Sequence, residues 1–213
     1  MTRISRVHYP VTSLGPGKRL GVWFQGCSLG CKGCMSRDTW DSAAGTDVPV
    51  ATLAGLWREA VADGADGLTV SGGEPFDQPG DLVALLTQAA ALRAGRDADV
   101  LVYTGYELAE AERRAPGVRA LADVLITGRY EAGKPTRLIW RGSANQEMHL
   151  LSPLGRRRYA RYTGHVPDRP PIQLVADDQR IWLVGVPPPG GLRDFERGLR
   201  QREVSLDGPS WRP

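Results

Sequence analysis

The feature that most constrains this chain is the stretch Gly26-Cys27-Ser28-Leu29-Gly30-Cys31-Lys32-Gly33-Cys34, which holds all three cysteines of its 213 residues. Three neighbouring thiols cannot pair off completely as disulfides. Nor can they fill the four corners of a closed tetrahedral zinc site. They can hold three irons of a cubane iron–sulfur cluster and leave the fourth iron open for chemistry. Two other readings stand beside this one. A zinc knuckle would need a distant fourth ligand, and His8, His149 and His165 do not lie at knuckle spacing. Inert burial is the second, and three cysteines packed between glycines argue against it.

The remaining sequence describes what carries this loop. No run of about 18 apolar residues exists, and Met1–Arg6 lack the apolar stretch of a signal peptide, so the expected location is the cytoplasm. In that reducing compartment, clustered cysteines point to metal or redox chemistry. The net charge of +3 comes mostly from arginine, with lysine only at positions 18, 32 and 134. This reads as compositional bias with solvated charge, including the run Arg156-Arg157-Arg158, and no nucleic-acid partner is expected.

Residues 1–20, with Tyr9-Pro10 and Gly15-Pro16-Gly17, read as an irregular lead-in. Gly21–Gln25 is the first expected strand, and the cysteine loop follows it directly. Apolar residues at Val50, Leu53, Ala54, Trp57, Ala60 and Val61 predict an amphipathic helix over 50–63. Leu68–Ser71 is a second strand ending at Gly72-Gly73-Glu74-Pro75, and 81–93 a helix with Asp81 as its N-cap. Val100–Thr104 is the third strand, 107–114 a short helix, and Val124–Ile126 the fourth strand. The alternation predicts an α/β fold with a parallel sheet, and four units suit a partial, open (βα) barrel. Leu138–Trp140 reads as a further strand and 152–171 as irregular. Ile172–Val175 and Arg180–Val184, flanking Asp177-Asp178, predict a β-hairpin, with a helix over 192–202 and a frayed end. The expected division is a core of residues 1–152 and an extension, 153–213, packed on the same domain.

Gly72-Gly73 at a strand end lets backbone approach a ligand closely, and Glu74 adds charge there. A tight connection is the simpler reading of a Gly-Gly turn taken alone. Thr104-Gly105-Tyr106 lines the next strand end or merely caps it.

The cysteine loop with Gly72-Gly73-Glu74-Pro75 one unit later resembles the radical S-adenosylmethionine (radical SAM) superfamily. Further segments resemble the activating proteins of anaerobic (class III) ribonucleotide reductase. They are Gly15-Pro16-Gly17-Lys18-Arg19, Gln25-Gly26-Cys27, Cys31-Lys32-Gly33-Cys34, Asp38-Thr39-Trp40, Tyr103-Thr104-Gly105-Tyr106, Asp123–Ile126 and Leu138–Gln146. Together they span roughly residues 8–152. The resemblance implies that Cys27, Cys31 and Cys34 ligate a [4Fe–4S] cluster whose open iron chelates the methionine part of SAM. It implies that Gly72, Gly73 and Glu74 hold the amino group. The backbone of Gly33, Cys34 and Met35 would meet the adenine, and Thr104 would line the pocket. The implied chemistry is reductive cleavage of SAM to methionine and a 5′-deoxyadenosyl radical, which takes a hydrogen from a glycine Cα of a partner glycyl-radical enzyme. A flavodoxin or ferredoxin would supply the electron. Met35 stands where related proteins often carry an aromatic residue. A radical SAM enzyme acting on another peptide or small molecule, and a non-catalytic iron–sulfur or zinc interaction module, are the competing readings. Asn145 and Gln146 are candidates for SAM or partner contact, or for a turn. Arg141 is expected at the surface.

Overall fold

The computed structural model describes residues 1–93, 95–176 and 180–212. A seven-stranded sheet has the order β3-β1-β2-β4-β5-β6-β7. Its strands are β1 (Thr2–Val11), β2 (Arg19–Phe24), β3 (Thr46–Val48), β4 (Gly67–Gly72), β5 (Asp99–Tyr103), β6 (Val124–Thr127) and β7 (Glu147–Leu150). The inner four, β2, β4, β5 and β6, are parallel. They read as continuous apolar runs because the sheet is covered on both faces.

Helices α1 (Val50–Ala62), α2 (Pro79–Leu92), α3 (Leu108–Arg114) and α4 (Val118–Leu121) cover one face. Leu53, Trp57, Leu82, Leu85 and Leu86 pack there against Leu20, Val22, Leu68, Val70, Val100 and Val102. The apolar spacing of α1 brings Leu53, Trp57, Ala60 and Val61 onto one side, and Gly64 at φ +85° follows its C-cap. The Trp57 indole N–H donates to the Ala89 carbonyl at 3.2 Å and pins α1 to α2. The other face carries α5 (Pro153–Tyr159), the segment Ile139-Trp140 and a separate hairpin. That hairpin pairs β8 (Ile172–Ala176) with β9 (Ile181–Gly185) and is followed by α6 (Gly191–Arg200). Its connection, with Asp177 and Asp178, lies outside the described residues. Val184 packs on Val11 and Leu14, while the Ser13 hydroxyl donates to the Val184 carbonyl at 2.8 Å.

Several expectations need correction. The lead-in contains β1, antiparallel to β2, with register breaks between Ile4 and Arg6 and between His8 and Val11. Those irregularities shift the apolar phase, so a period-two pattern is hidden. Leu138–Trp140 is not a strand; Glu147–Leu150 takes the place beside β6, and Trp140 adopts φ +60° as a core plug. Residues 152–171 include α5, where the Ser152 hydroxyl accepts from Gly155 N at 2.9 Å and Pro153 stands in the first turn. Arginine and proline content obscured that start. Asp81 lies in the first turn of α2, with Gln78 at the cap position, because Pro79 opens the helix.

A buried ion pair joins the N-terminal ends of the parallel strands. Arg19 and Asp99 are both fully buried and meet at 2.6 Å. All five guanidinium N–H donors are used: Nε to Thr69 Oγ1, Nη1 to Pro16 O and Asp99 Oδ2, and Nη2 to Leu68 O and Asp99 Oδ1. Asp99 also accepts the Tyr159 hydroxyl at 2.6 Å and pairs with Arg158 at 2.9 Å. Burial pulls the Arg19 pKa down, but Tyr159 and Asp99 more than offset it, and the net direction is upward. Gly67 leaves the necessary space, since a Cβ there would lie 2.3 Å from Arg19 Nη1. Asp99→Ala leaves a buried guanidinium without its counter-charge and is expected to cost about 3–5 kcal/mol in urea unfolding. Arg157→Ala removes an exposed partner of Asp97 and should cost under about 1 kcal/mol in the same measurement.

Candidate active site

The parallel register puts the C-terminal ends of β2, β4, β5 and β6 on one rim. The cysteine loop leaves β2 there. Gly26 N donates to Thr39 O at 2.8 Å and Cys27 N to Trp40 O at 3.1 Å, so both strands of the loop's neck are tied together. The Gln25 side chain donates to Asp38 O and Asp41 O and secures the returning segment. Within the loop, Cys34 N donates to Cys31 O at 3.1 Å, and Gly30 and Gly33 take φ of +58° and +80°. Those left-handed values are open to glycine at little steric cost.

Gly72 and Gly73 meet the loop backbone. A Cβ on Gly72 would lie 2.3 Å from Phe24 O, and one on Gly73 would lie 2.2 Å from Gly26 O. Gly73 N donates to Phe24 O and Glu74 N to Gly26 O, each at 2.8 Å. The glycines therefore allow a close approach of two backbones.

Glu74 is buried, with 1% of its surface exposed. Its carboxylate accepts from Phe76 N at 3.0 Å, Thr104 Oγ1 at 2.9 Å and Gly105 N at 2.7 Å. Thr104 in turn accepts from Tyr106 N at 3.1 Å. Glu74 and Thr104 are thus brought together, as a brace between the β4 and β5 ends. Desolvation pushes the Glu74 pKa up to about 7, while the three hydrogen bonds oppose the rise.

A second clamp was not legible in the sequence. Asp77 accepts from Ser28 N at 2.7 Å, from Ser28 Oγ at 3.0 Å and from the Tyr106 hydroxyl at 2.9 Å. Ser28 and Tyr106 hydroxyls lie 3.1 Å apart, and the Arg114 guanidinium stacks 3.9 Å over the Tyr106 ring. Leu29 packs so closely on Gly105 that a Cβ there would lie 2.3 Å from Leu29 Cδ1. Nothing in local spacing links positions 28, 77 and 106. An open cleft of about 420 Å³, lined by Ser28, Leu29, Gly105, Tyr106, Glu107, Glu110, Arg114 and Arg129, adjoins this clamp.

Cys27, Cys31 and Cys34 are half-buried and free of disulfides. Burial pushes the Cys27 and Cys34 thiols up. Among the described residues no three His, Cys, Asp or Glu side chains converge in metal-holding geometry. The donor chemistry nonetheless fits an iron–sulfur cluster: a complete set of three free thiols on one glycine-bearing loop. Ser36 N already donates to Cys34 Sγ at 3.4 Å, the kind of amide–sulfur contact that tunes such clusters. Gly33 is exposed and Met35 half-buried at the loop's far end.

Asn145 and Gln146 belong to a loop brace. Asn145 Nδ2 donates to Arg129 O and Gln146 Nε2 to Gly128 O, while Gln146 Oε1 accepts from Gly142 N at 2.7 Å. They fix the backbone after β6. Arg141 is buried, contrary to the surface expectation, and donates to Thr163 O at 2.5 Å.

A family model described as a 4Fe-4S single cluster domain matches residues 13–149, which makes the chain a single-cluster iron–sulfur protein. Anaerobic ribonucleoside-triphosphate reductase-activating proteins are similar over nearly their whole length. That of Haemophilus influenzae is 34% identical over 155 residues, covering 67% of this chain and 94% of the relative. The Vibrio cholerae protein is 34% identical, covering 68% and 96%. The phage T4 protein is 31% identical over 135 residues, covering 63% and 85%. The chain belongs to the family of anaerobic ribonucleoside-triphosphate reductase-activating proteins.

Glu74 makes stability depend on pH. Its folded-state pKa of about 7 lies above the ordinary 4.5, so the folded protein binds more protons between those values. The stabilisation is full below about pH 4.5, declines as pH rises toward 7, and amounts to about 3 kcal/mol by the usual linkage. Urea unfolding from pH 5 to 7.5 should show this decline in the native chain and a flatter profile in Glu74→Gln. The glutamine variant is also expected to be less stable at pH 5, because its amide group meets backbone N–H donors.

Proposed function

We propose that this chain is the radical SAM enzyme that installs a glycyl radical on an anaerobic ribonucleotide reductase. The observation that carries the reading is the hydrogen-bonded junction of the cysteine loop with Gly72-Gly73-Glu74, made by Glu74 N and Gly26 O. In this reading the sheet is the open partial (βα) barrel of the superfamily. Residues 1–152 form the catalytic core, and residues 153–213 pack on it as part of the same domain.

Cys27, Cys31 and Cys34 would hold the [4Fe–4S] cluster. Gly72 and Gly73 would present backbone to the amino group of SAM, and Gly33, Cys34 and Met35 would present backbone to the adenine. When bound, these groups supply a one-electron reductive cleavage of the sulfonium carbon–sulfur bond and a radical that takes hydrogen from a glycine Cα of the partner. The chain's own residues position that chemistry. Glu74 and Thr104 fix the β4 and β5 ends relative to each other. Asp77 and Tyr106 hold Ser28, the residue after the first cysteine, and so orient the loop. Asn145 and Gln146 hold the backbone after β6, which borders the same rim. The electron donor in this reading is a flavodoxin or ferredoxin, and the setting is the cytoplasm; no helix of the described residues is long and apolar enough to cross a membrane.

The test is anaerobic reconstitution with iron and sulfide, followed by dithionite and SAM. The expected products are methionine and 5′-deoxyadenosine, together with a glycyl doublet in the electron paramagnetic resonance spectrum of the co-incubated reductase. Cys27→Ala, Cys31→Ala and Cys34→Ala should each abolish both signals. Zinc at one equivalent and no 5′-deoxyadenosine would sink the enzymatic reading. Product without a glycyl doublet would favour a different hydrogen donor.

A further inference from the structure

Residues beyond the matched family segment reach back to the cysteine loop. The Ser210 hydroxyl donates to the Met35 carbonyl at 2.8 Å, and Arg37 Nη1 donates to the Arg212 carbonyl at 3.1 Å. These contacts join positions 175 residues apart in sequence, and they flank Ser36, whose N–H meets Cys34 Sγ. The reaching segment has its own anchor. Glu196, on α6, accepts from Trp211 Nε1 at 2.6 Å and from Arg212 Nε and Nη2 at 3.2 and 2.6 Å. The two arginine contacts form a planar fork, a geometry that fixes orientation as well as distance. Met35 and Arg37 are therefore tethered through 210–212 to a helix that itself belongs to the extension.

We infer that residues 209–212 are a strap that positions the third-cysteine limb of the cluster loop, Cys34–Arg37. This rests on the iron–sulfur reading above. The limb follows the last cysteine, where the returning segment is otherwise held by its own 3₁₀ turn over Arg37–Thr39, the Thr39 hydroxyl on Ser36 O, the Arg6–Asp38 ion pair, the Gln25 side chain on Asp38 O and Asp41 O, and the neck bonds at Thr39 and Trp40. Fixing the Met35 carbonyl fixes the peptide plane whose other end is Ser36 N–H. Ser210 thus sets the direction of the amide that meets Cys34 sulfur. It is a positioning residue and touches no reacting atom.

The experiment compares the full chain with a chain ending at Gly208, with Ser210→Ala and with Ser210→Thr. Two readouts are taken. The first is amide hydrogen exchange at residues 35–37 in protein without cluster. The second is the rate at which a ferrous chelator strips iron from anaerobically reconstituted protein. The chain ending at Gly208 and Ser210→Ala should exchange faster at 35–37 and lose iron about five- to tenfold faster, the scale of one lost hydrogen bond or two. Ser210→Thr keeps the hydroxyl and should restore both. The thermal midpoint should not move, because the strap lies outside the packed clusters of the sheet. Unchanged exchange at 35–37 overturns the inference, as does equal or slower iron loss. Failure of the full chain to take up any cluster would count against the iron–sulfur reading, while the exchange comparison would still decide the strap.

Discussion

Everything at the cysteine rim depends on a charge held at the opposite rim. Arg19 begins β2, Gly67 begins β4 and Asp99 begins β5, and the guanidinium ties these ends together with every donor satisfied. A buried ion pair is a weak source of net stability, since desolvation offsets much of its attraction. What it supplies here is register. A one-residue slip of any of these strands would leave a buried charge unpaired and would turn each side chain to the wrong face. The same slip would separate Gly73 from Gly26 and dissolve the junction beside the cysteines. The turn Gly15-Pro16-Gly17 exists in this context: a Cβ on Gly15 would lie 2.6 Å from Arg19 Nε, and one on Gly17 would lie 2.2 Å from Asp66 Oδ2.

The parallel strands and their glycine-marked ends were legible because burial on both faces writes uninterrupted apolar runs such as Val100–Val102 and Val124–Ile126. The cysteine loop was legible because spacing within one loop is local information. Features that failed are those in which one residue does two things. Ile4 and Val7 lie on opposite sides of a register break, so β1 shows no clean alternation. Ile139 and Trp140 look like strand residues because they fill core, yet Ile139 N bonds to His165 O instead of to a ladder. The Asp77–Tyr106–Ser28 clamp joins three loops through side chains 29 and 78 positions apart, and no periodicity encodes that.

The family assignment and the geometry bear on different residues. The matched family segment ends at position 149, and β8, β9 and α6 lie beyond it. Those added elements are integrated. Val184 enters the core beside Val11 and Leu14, and Gln173 exchanges hydrogen bonds with Thr12 and Pro10. The outer face of the hairpin is apolar and exposed at Ile172, Leu174 and Ile181. The inner face thus covers a side of the sheet that carries Tyr103 and Trp23.

The two rims are separated by the length of β2, six residues or about 20 Å of extended chain. The ion pair that fixes register sits at one end of the sheet and the thiols at the other. Small zinc modules gain their fold from the metal itself. This architecture divides the two tasks. The groups that fix strand register are distinct from the three thiols, and no pairing within the seven-stranded sheet involves a cysteine.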